Sequence, residues 1–324
     1  MDLLKELTNI FGPSGREGEI REFIKTKIAG SAEFRVDPMG NLIVHKKGSG
    51  KKLMFIAHMD EIGFMITEID QRGFLRFTPL GKPILRFLPG KMVKFANGTH
   101  GVIGVESEDG NKELDLSGLF IDVGGDHKEV TSKVKIGDVA VFATPFRRQD
   151  NYVIGKALDD RIGCYLLITL IKENPPSPFD LYFVFAVQAE VGLRGEKTSA
   201  YSIQPDYAIS ISPIQSGDIP KGPPVPVKLN HGVAVTVKDE RMITMPVIRD
   251  RLIELCQEEG IKYQMGIRES GSSGGASAQL SRFGVPTGAI SIPTRYLHTG
   301  CEMSSEADIE AALNLLRCLV RKGI

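Results

Sequence analysis

Six residues far apart in the chain carry side chains that hold divalent metals: His58, Asp60, Asp159, Asp160, Glu190 and His298. Imidazole and carboxylate groups suit a borderline cation such as Zn²⁺ or Co²⁺, and one carboxylate can bridge two such ions. Taken singly, each is weak evidence, because a lone His is usually structural and a lone carboxylate near a turn is usually a cap. His45, His100, His127 and His231 are assigned to that background. The six are set apart by position: each follows an apolar run, or sits in the connection after one. Gathered at strand ends, such residues read as a metal site. Asp60, two residues past His58, can accept the second N–H of a ligating imidazole and so fix its orientation.

The elements that must position them are legible as periodicity. Leu53-Met54-Phe55-Ile56-Ala57 reads as a buried strand ending in His58. Leu181–Val187, Tyr207–Ile211 and Gly288–Ile292 read likewise, as continuous apolar strands of a sheet covered on both faces. Ligands of open α/β sheets bind where such strands end. Helices are expected at Leu3–Ile10, at Ile20–Ile28, at Ile162–Ile171, and at the C-terminus, where Ser305 and Asp308 suggest a capping box. Lys46, Lys47, Lys51 and Lys52 around Gly48–Gly50 read as a solvated hairpin loop. From Met65 to Tyr152 the texture changes to short β-rich runs broken by Gly and Pro, with no helical periodicity. This predicts an α/β domain, residues 1–64 plus 154–324, interrupted by a small β-barrel at 65–153.

Composition narrows the function classes. The 324 residues carry 40 basic and 40 acidic side chains, which gives no reason to expect nucleic acid or an anionic membrane as partner. No apolar run is long enough to cross a bilayer, and the start of the chain lacks the pattern of a signal peptide. The four scattered cysteines have no CxxC pair and fit a reducing, cytoplasmic setting. Cys301, just after His298, is read as a plain thiol.

Four segments resemble one family. Ala57-His58-Met59-Asp60-Glu61-Ile62-Gly63-Phe64 is similar to the first metal motif of the tetrahedral aminopeptidases, a group often labelled cellulase M or endoglucanase. Lys156–Cys164 resembles its bridging-aspartate motif, Glu190–Gly195 the segment after its paired glutamates, and Gly284–His298 its last-ligand motif. The resemblance implies a mixed-sheet zinc-peptidase-like α/β domain whose inserted barrel serves dimerisation. It implies that Asp159 bridges two metals, that His58 binds one, that Glu190 and His298 bind the other, and that Asp60 orients His58. Peptides would be the substrates, and dimers would build a hollow dodecamer.

Two positions depart from that pattern. The resemblance implies a glutamate general base where Ala189 stands, and an aspartate ligand where Ser212 stands. Loss of a general base typically costs about 10²–10⁴ in rate. A neutral hydroxyl is a poor zinc ligand, so the expectation is one tightly held Zn²⁺ or Co²⁺, on Asp159, Glu190 and His298. Ser272–Ala276 also differs from the Gly-Thr-Asp-Ala of the family. The leading reading is a metalloaminopeptidase of impaired activity. Beside it stands a non-catalytic homologue, co-assembling with an active relative or binding peptides. An endoglucanase ranks last, since the chain has no Trp to stack against sugar.

Overall fold

The apolar runs form the centre of one sheet. Along Lys52–His58, Leu53 and Phe55 enter one buried cluster while Met54 and Ile56 enter another, so both faces of the strand are covered. Burial of each such side chain contributes about 1.5–3 kcal/mol. The computed structural model describes residues 1–106 and 114–324, and the part of the predicted β-rich insert at 107–113 lies outside them. Asp180–Ala186, Lys52–His58, Tyr207–Gln215 and Thr287–Arg295 lie side by side in that order, all parallel. Antiparallel strands extend this core on both sides into a mixed sheet of eleven strands. Leu158–Glu173 and Glu306–Lys322 bury their apolar sides in the cluster of Phe55 and Ile209. Arg194–Ile203 and Gly275–Gln279 cover the other face through Ala200, Ile203 and Ala278.

Six antiparallel strands between Gly63 and Phe142 close into a barrel. Its interior is filled by Phe64, Phe77, Phe95 and Phe142 with Ile66, Val93 and Ile121. The rings of Phe77 and Phe142 meet Phe64 edge-on, at centroid distances of 5.2 and 5.0 Å.

Three local expectations are corrected. The barrel segment contains a helix, His127–Lys133. It is too short to show periodicity, yet it carries a full capping box between Asp126 and Glu129 and buries Val130 in the barrel core. No hairpin joins Leu42–Lys46 to Lys52–His58, because Asp180–Ala186 is hydrogen-bonded between them. The basic loop instead presses on residues 178–180: a Cβ on Gly48 would lie 2.1 Å from the Phe179 carbonyl oxygen, and one on Gly50 1.9 Å from that of Pro178. Finally, Ser305 and Asp308 do not cap their own helix. Ser305 donates to Asn230 Oδ1 at 2.6 Å, and Asp308 accepts the N–H groups of Asn230 and Gly232, tying the helix to the loop before Val233–Lys238. A tertiary partner has displaced the local one.

A buried ionic cluster joins barrel and sheet. Glu61 accepts from Lys156 Nζ at 2.5 Å and from the Gly12 N–H, and lies 3.6 Å from Arg161, whose guanidinium also donates to the Leu7 carbonyl. Removing one member strands the others away from water. Glu61→Ala should destabilise the protein by about 3–5 kcal/mol, read as a lowered urea midpoint at unchanged slope.

Candidate active site

Parallel register brings the predicted residues together. His58 ends its strand beside Ala186, and two residues beyond the Ser210–Ile56 pair Ser212 stands level with it. Glu190 lies in the turn after Asp180–Ala186, His298 three residues after Thr287–Arg295, and Asp159 at the irregular start of Leu158–Glu173. There Ala157 has φ +54°, and the Asp159–Asp160 peptide bond is cis. Asp159 and Asp160 both have non-helical backbone dihedrals.

That carboxylate is held between two imidazoles. His58 Nε2 is 3.2 Å from Asp159 Oδ1, and His298 Nε2 is 3.4 Å from Oδ2. Both rings are oriented from behind. His298 Nδ1 is 3.0 Å from the Lys82 carbonyl, on the barrel side. His58 Nδ1 is 3.1 Å from the backbone carbonyl of Asp60 and 3.5 Å from its carboxylate. The Asp60 carboxylate itself accepts the N–H groups of Ala189 and Glu190 at 2.9 and 3.0 Å, and the Ser14 hydroxyl at 2.6 Å. Asp60 thus anchors the turn bearing Glu190 as well as the His58 loop. Ligand atoms of His58, Asp159 and Glu190 all lie within 4.8 Å of one another. An imidazole nitrogen and two carboxylates converging in this way fit a divalent cation of the Zn²⁺ or Co²⁺ class. The converging triplet contains His58, with His298 on the far oxygen of Asp159.

Sequence reading missed residues that hold the ligands. Glu302 accepts the Asp159 N–H at 3.0 Å and the His298 N–H at 3.1 Å, locking two ligand loops with one carboxylate. Glu17 accepts the Gln188 N–H, while Asp160, one of the six candidates, accepts the His58 N–H. Glu302 lies seven residues past the strand it serves, and no spacing rule marks it.

The charges of the site have identifiable causes. Burial works against the His298 cation, but Glu190 and Asp159 overcome it and push the imidazole up to about 10. Burial likewise opposes the His58 cation, and Asp159 and Asp60 hold it well above its ordinary value. Burial alone would raise Asp159; its hydrogen bonds to His298 and His58 instead keep it well below the carboxylate range. Burial raises Glu190 to about 7 against the pull of His298. Near neutral pH both imidazoles therefore hold protons that an incoming cation must expel. Zinc affinity should rise with pH toward the His298 value. Calorimetry in buffers of different ionisation heat should detect proton release on zinc binding near neutral pH.

Of the two departing positions, Ala189 is buried in an apolar cluster with Leu193, Met242, Ala276 and Ala289. Ser212 Oγ is buried with no hydrogen-bond partner. Cys301 is partly exposed and, like the other cysteines, unpaired.

Comparison with known proteins matches residues 40–315 to the model of the M42 glutamyl aminopeptidase family. A putative aminopeptidase of Acetivibrio thermocellus is 46% identical, covering 97% of this chain and 96% of that protein. The structure superposes on an aminopeptidase of the archaeon Desulfurococcus kamchatkensis with TM-score 0.94 and 32% identity, over 99% of this chain and 94% of the other. It superposes on the TET1 peptidase of Pyrococcus horikoshii with TM-score 0.88 and 33% identity, over 99% of both chains; that peptidase can assemble into a tetrahedron or a large octahedral shell. With both fold and sequence matched over nearly the whole length, the chain belongs to the M42 glutamyl aminopeptidase family.

Proposed function

We propose that this chain is a metal-dependent aminopeptidase that releases N-terminal residues from peptides. The observation that supports this most is the convergence of His58, Asp159 and Glu190, with His298 on the second oxygen of Asp159, in a member of this family. A divalent ion held by these residues, Zn²⁺ or Co²⁺, would polarise a carbonyl and acidify water. The protein's own groups do the positioning. Asp60 fixes both His58 and the Ala189–Glu190 turn, and Glu302 holds the Asp159 and His298 loops in register. Asp159 presents one oxygen to each imidazole, which suits a bridging role. One tight metal per chain is the expectation, because Ser212 offers only a neutral hydroxyl beside His58.

The barrel region, residues 65–153, is proposed as the dimerisation domain and residues 1–64 plus 154–324 as the catalytic one. Larger closed assemblies of the kind formed by the TET1 peptidase are the natural extension. With all four cysteines unpaired and no helix of the described residues long and apolar enough to cross a membrane, a cytoplasmic setting is the proposed location.

A second reading rests on the apolar cluster around Ala189, whose methyl group cannot accept a proton. On that reading the chain binds peptides, or assembles with an active relative, without turnover. A glycoside hydrolase has less support, because Asp159 is held between imidazoles and the chain lacks Trp.

The decisive assay is hydrolysis of aminoacyl p-nitroanilides by the zinc- or cobalt-loaded chain, with carboxymethyl cellulose as control. Turnover of the anilides alone supports the aminopeptidase, and none on any aminoacyl group leaves the second reading. Elemental analysis after dialysis should find about one metal per chain, and Ser212→Asp, by restoring a charged ligand beside His58, should raise it to about two.

A further inference from the structure

We propose that residues 81–84 of the barrel form a strap that positions two of the metal ligands, Glu190 and His298, and that Gly81 is the residue on which the placement of Glu190 depends; the inference rests on the metal-site reading above. Three observations lead to it.

The first is where the strap is fastened. It follows strand Leu75–Leu80, whose last residue pairs with Gly63, five residues past His58. The barrel ladder thus ties one end of the strap to the stretch of chain that carries His58 and Asp60. The other end enters the short turn Leu85–Phe87, after which Leu88 is buried in the barrel core. Between them Pro83 locks its own φ and disfavours helical backbone at Lys82, which stiffens the segment.

The second is its grip on His298. The Lys82 carbonyl lies 3.0 Å from His298 Nδ1. A carbonyl only accepts, so Nδ1 carries the hydrogen. Nε2, which faces Asp159, is then the nitrogen left to a cation once its own proton is expelled. The Ile84 N–H donates to the His298 carbonyl at 3.1 Å. His298 has φ +64°, in the left-handed region that a non-glycine residue seldom occupies. Such a backbone persists where its surroundings hold it. Glu302 holds the His298 N–H, and the strap holds its carbonyl.

The third is the bare backbone at Gly81, with φ +105°. A Cβ there would lie 3.0 Å from Glu190 Oε2, 3.3 Å from Glu190 Cβ and 2.9 Å from Ile62 Cγ1. All three are side-chain atoms, and the carboxylate end of Glu190 is the freest to move. A methyl group would therefore leave the backbone in place and displace the carboxylate from the point where it converges with His58 and Asp159. Gly81 meets Glu190 and the next residue meets His298, so one short stretch of barrel sets two ligands that arrive on separate loops of the sheet.

The barrel supplies its own controls. Gly90 and Gly98 also have positive φ, +78° and +87°, but a Cβ on either would meet no atom within 4 Å. Alanine there carries the same kind of backbone penalty without touching a ligand.

The test uses the full-length protein, stripped of metal and titrated with zinc by calorimetry. Gly81→Ala should weaken zinc binding by about 10–100-fold, the usual loss when a support of a ligand is disturbed. Gly90→Ala and Gly98→Ala should bind as the wild type does. The visible absorption of the cobalt-loaded protein should change in Gly81→Ala and stay unchanged in both controls. In a Glu190→Ala background no carboxylate remains to be displaced, so adding Gly81→Ala should cost no further affinity; a general loosening of the barrel would cost the same factor in both backgrounds. The metal-free melting temperature of Gly81→Ala should match those of the two controls. Wild-type zinc affinity in Gly81→Ala, equal losses with and without Glu190, equal losses in the controls, or a Gly81→Ala chain that melts far below them each overturns the proposal and leaves the metal site standing. A wild-type chain that takes up neither zinc nor cobalt overturns the metal-site reading, and the strap with it.

Discussion

Burial of negative charge at one end of the sheet is the constraint around which this protein is organised. Asp60, Asp160, Glu196 and Glu302 are almost wholly inaccessible, and Asp159 and Glu190 stand among them. An isolated carboxylate cannot be taken out of water without large cost, so each must find donors, a proton or a cation. The chain uses all three. Backbone N–H groups satisfy Asp60, Asp160 and Glu302, the imidazoles of His58 and His298 hold Asp159 ionised, and burial raises Glu190, Glu196 and Glu302 toward neutrality. The guanidinium of Arg268 is within electrostatic reach of Asp159, but it sits 4.0 Å from Asp239. What remains is a demand for positive charge where His58, Asp159 and Glu190 converge, which a divalent cation meets.

The architecture follows from the same demand. Four parallel strands deliver their carboxyl ends to one level, so the loops after them meet although their residues are far apart in sequence. The barrel is not a passive insert. Its Lys82 carbonyl orients His298, and a Cβ on Gly81, at φ +105°, would lie 3.0 Å from Glu190 Oε2. Gly300, at φ +71°, lets the His298 loop rest on the barrel's Phe142, where a Cβ would fall 2.3 Å from the ring. Folding the barrel and shaping the ligand loops are therefore linked events.

Strand-end residues were legible because continuous apolar runs mark buried parallel strands and polar groups directly after them stand out. The barrel was legible from its texture, and its one helix was not, since Val130 and Val134 alone mark its inner face over two turns. The order of strands was hidden as well. That Asp180–Ala186 enters between Leu42–Lys46 and Lys52–His58 depends on which edges pair, and two apolar runs close in sequence gave a misleading hint of a hairpin. Ser305 and Asp308 had the right spacing for a cap, yet Ser305 donates its hydroxyl to the Asn230 side chain and Asp308 accepts the backbone N–H groups of Asn230 and Gly232.

Residue types and local spacing were enough to settle the fold class and the kind of chemistry, because side-chain chemistry and hydrophobic period are properties of the chain itself. The supports of the site were another matter. Glu302 and Ser14 owe their standing to partners far away in sequence: the amides of Asp159 and His298, and the carboxylate of Asp60. Whether a carboxylate is a cap or an anchor depends on which donors surround it after burial. Those donors are assembled only when the sheet, helices and barrel have closed around the strand ends.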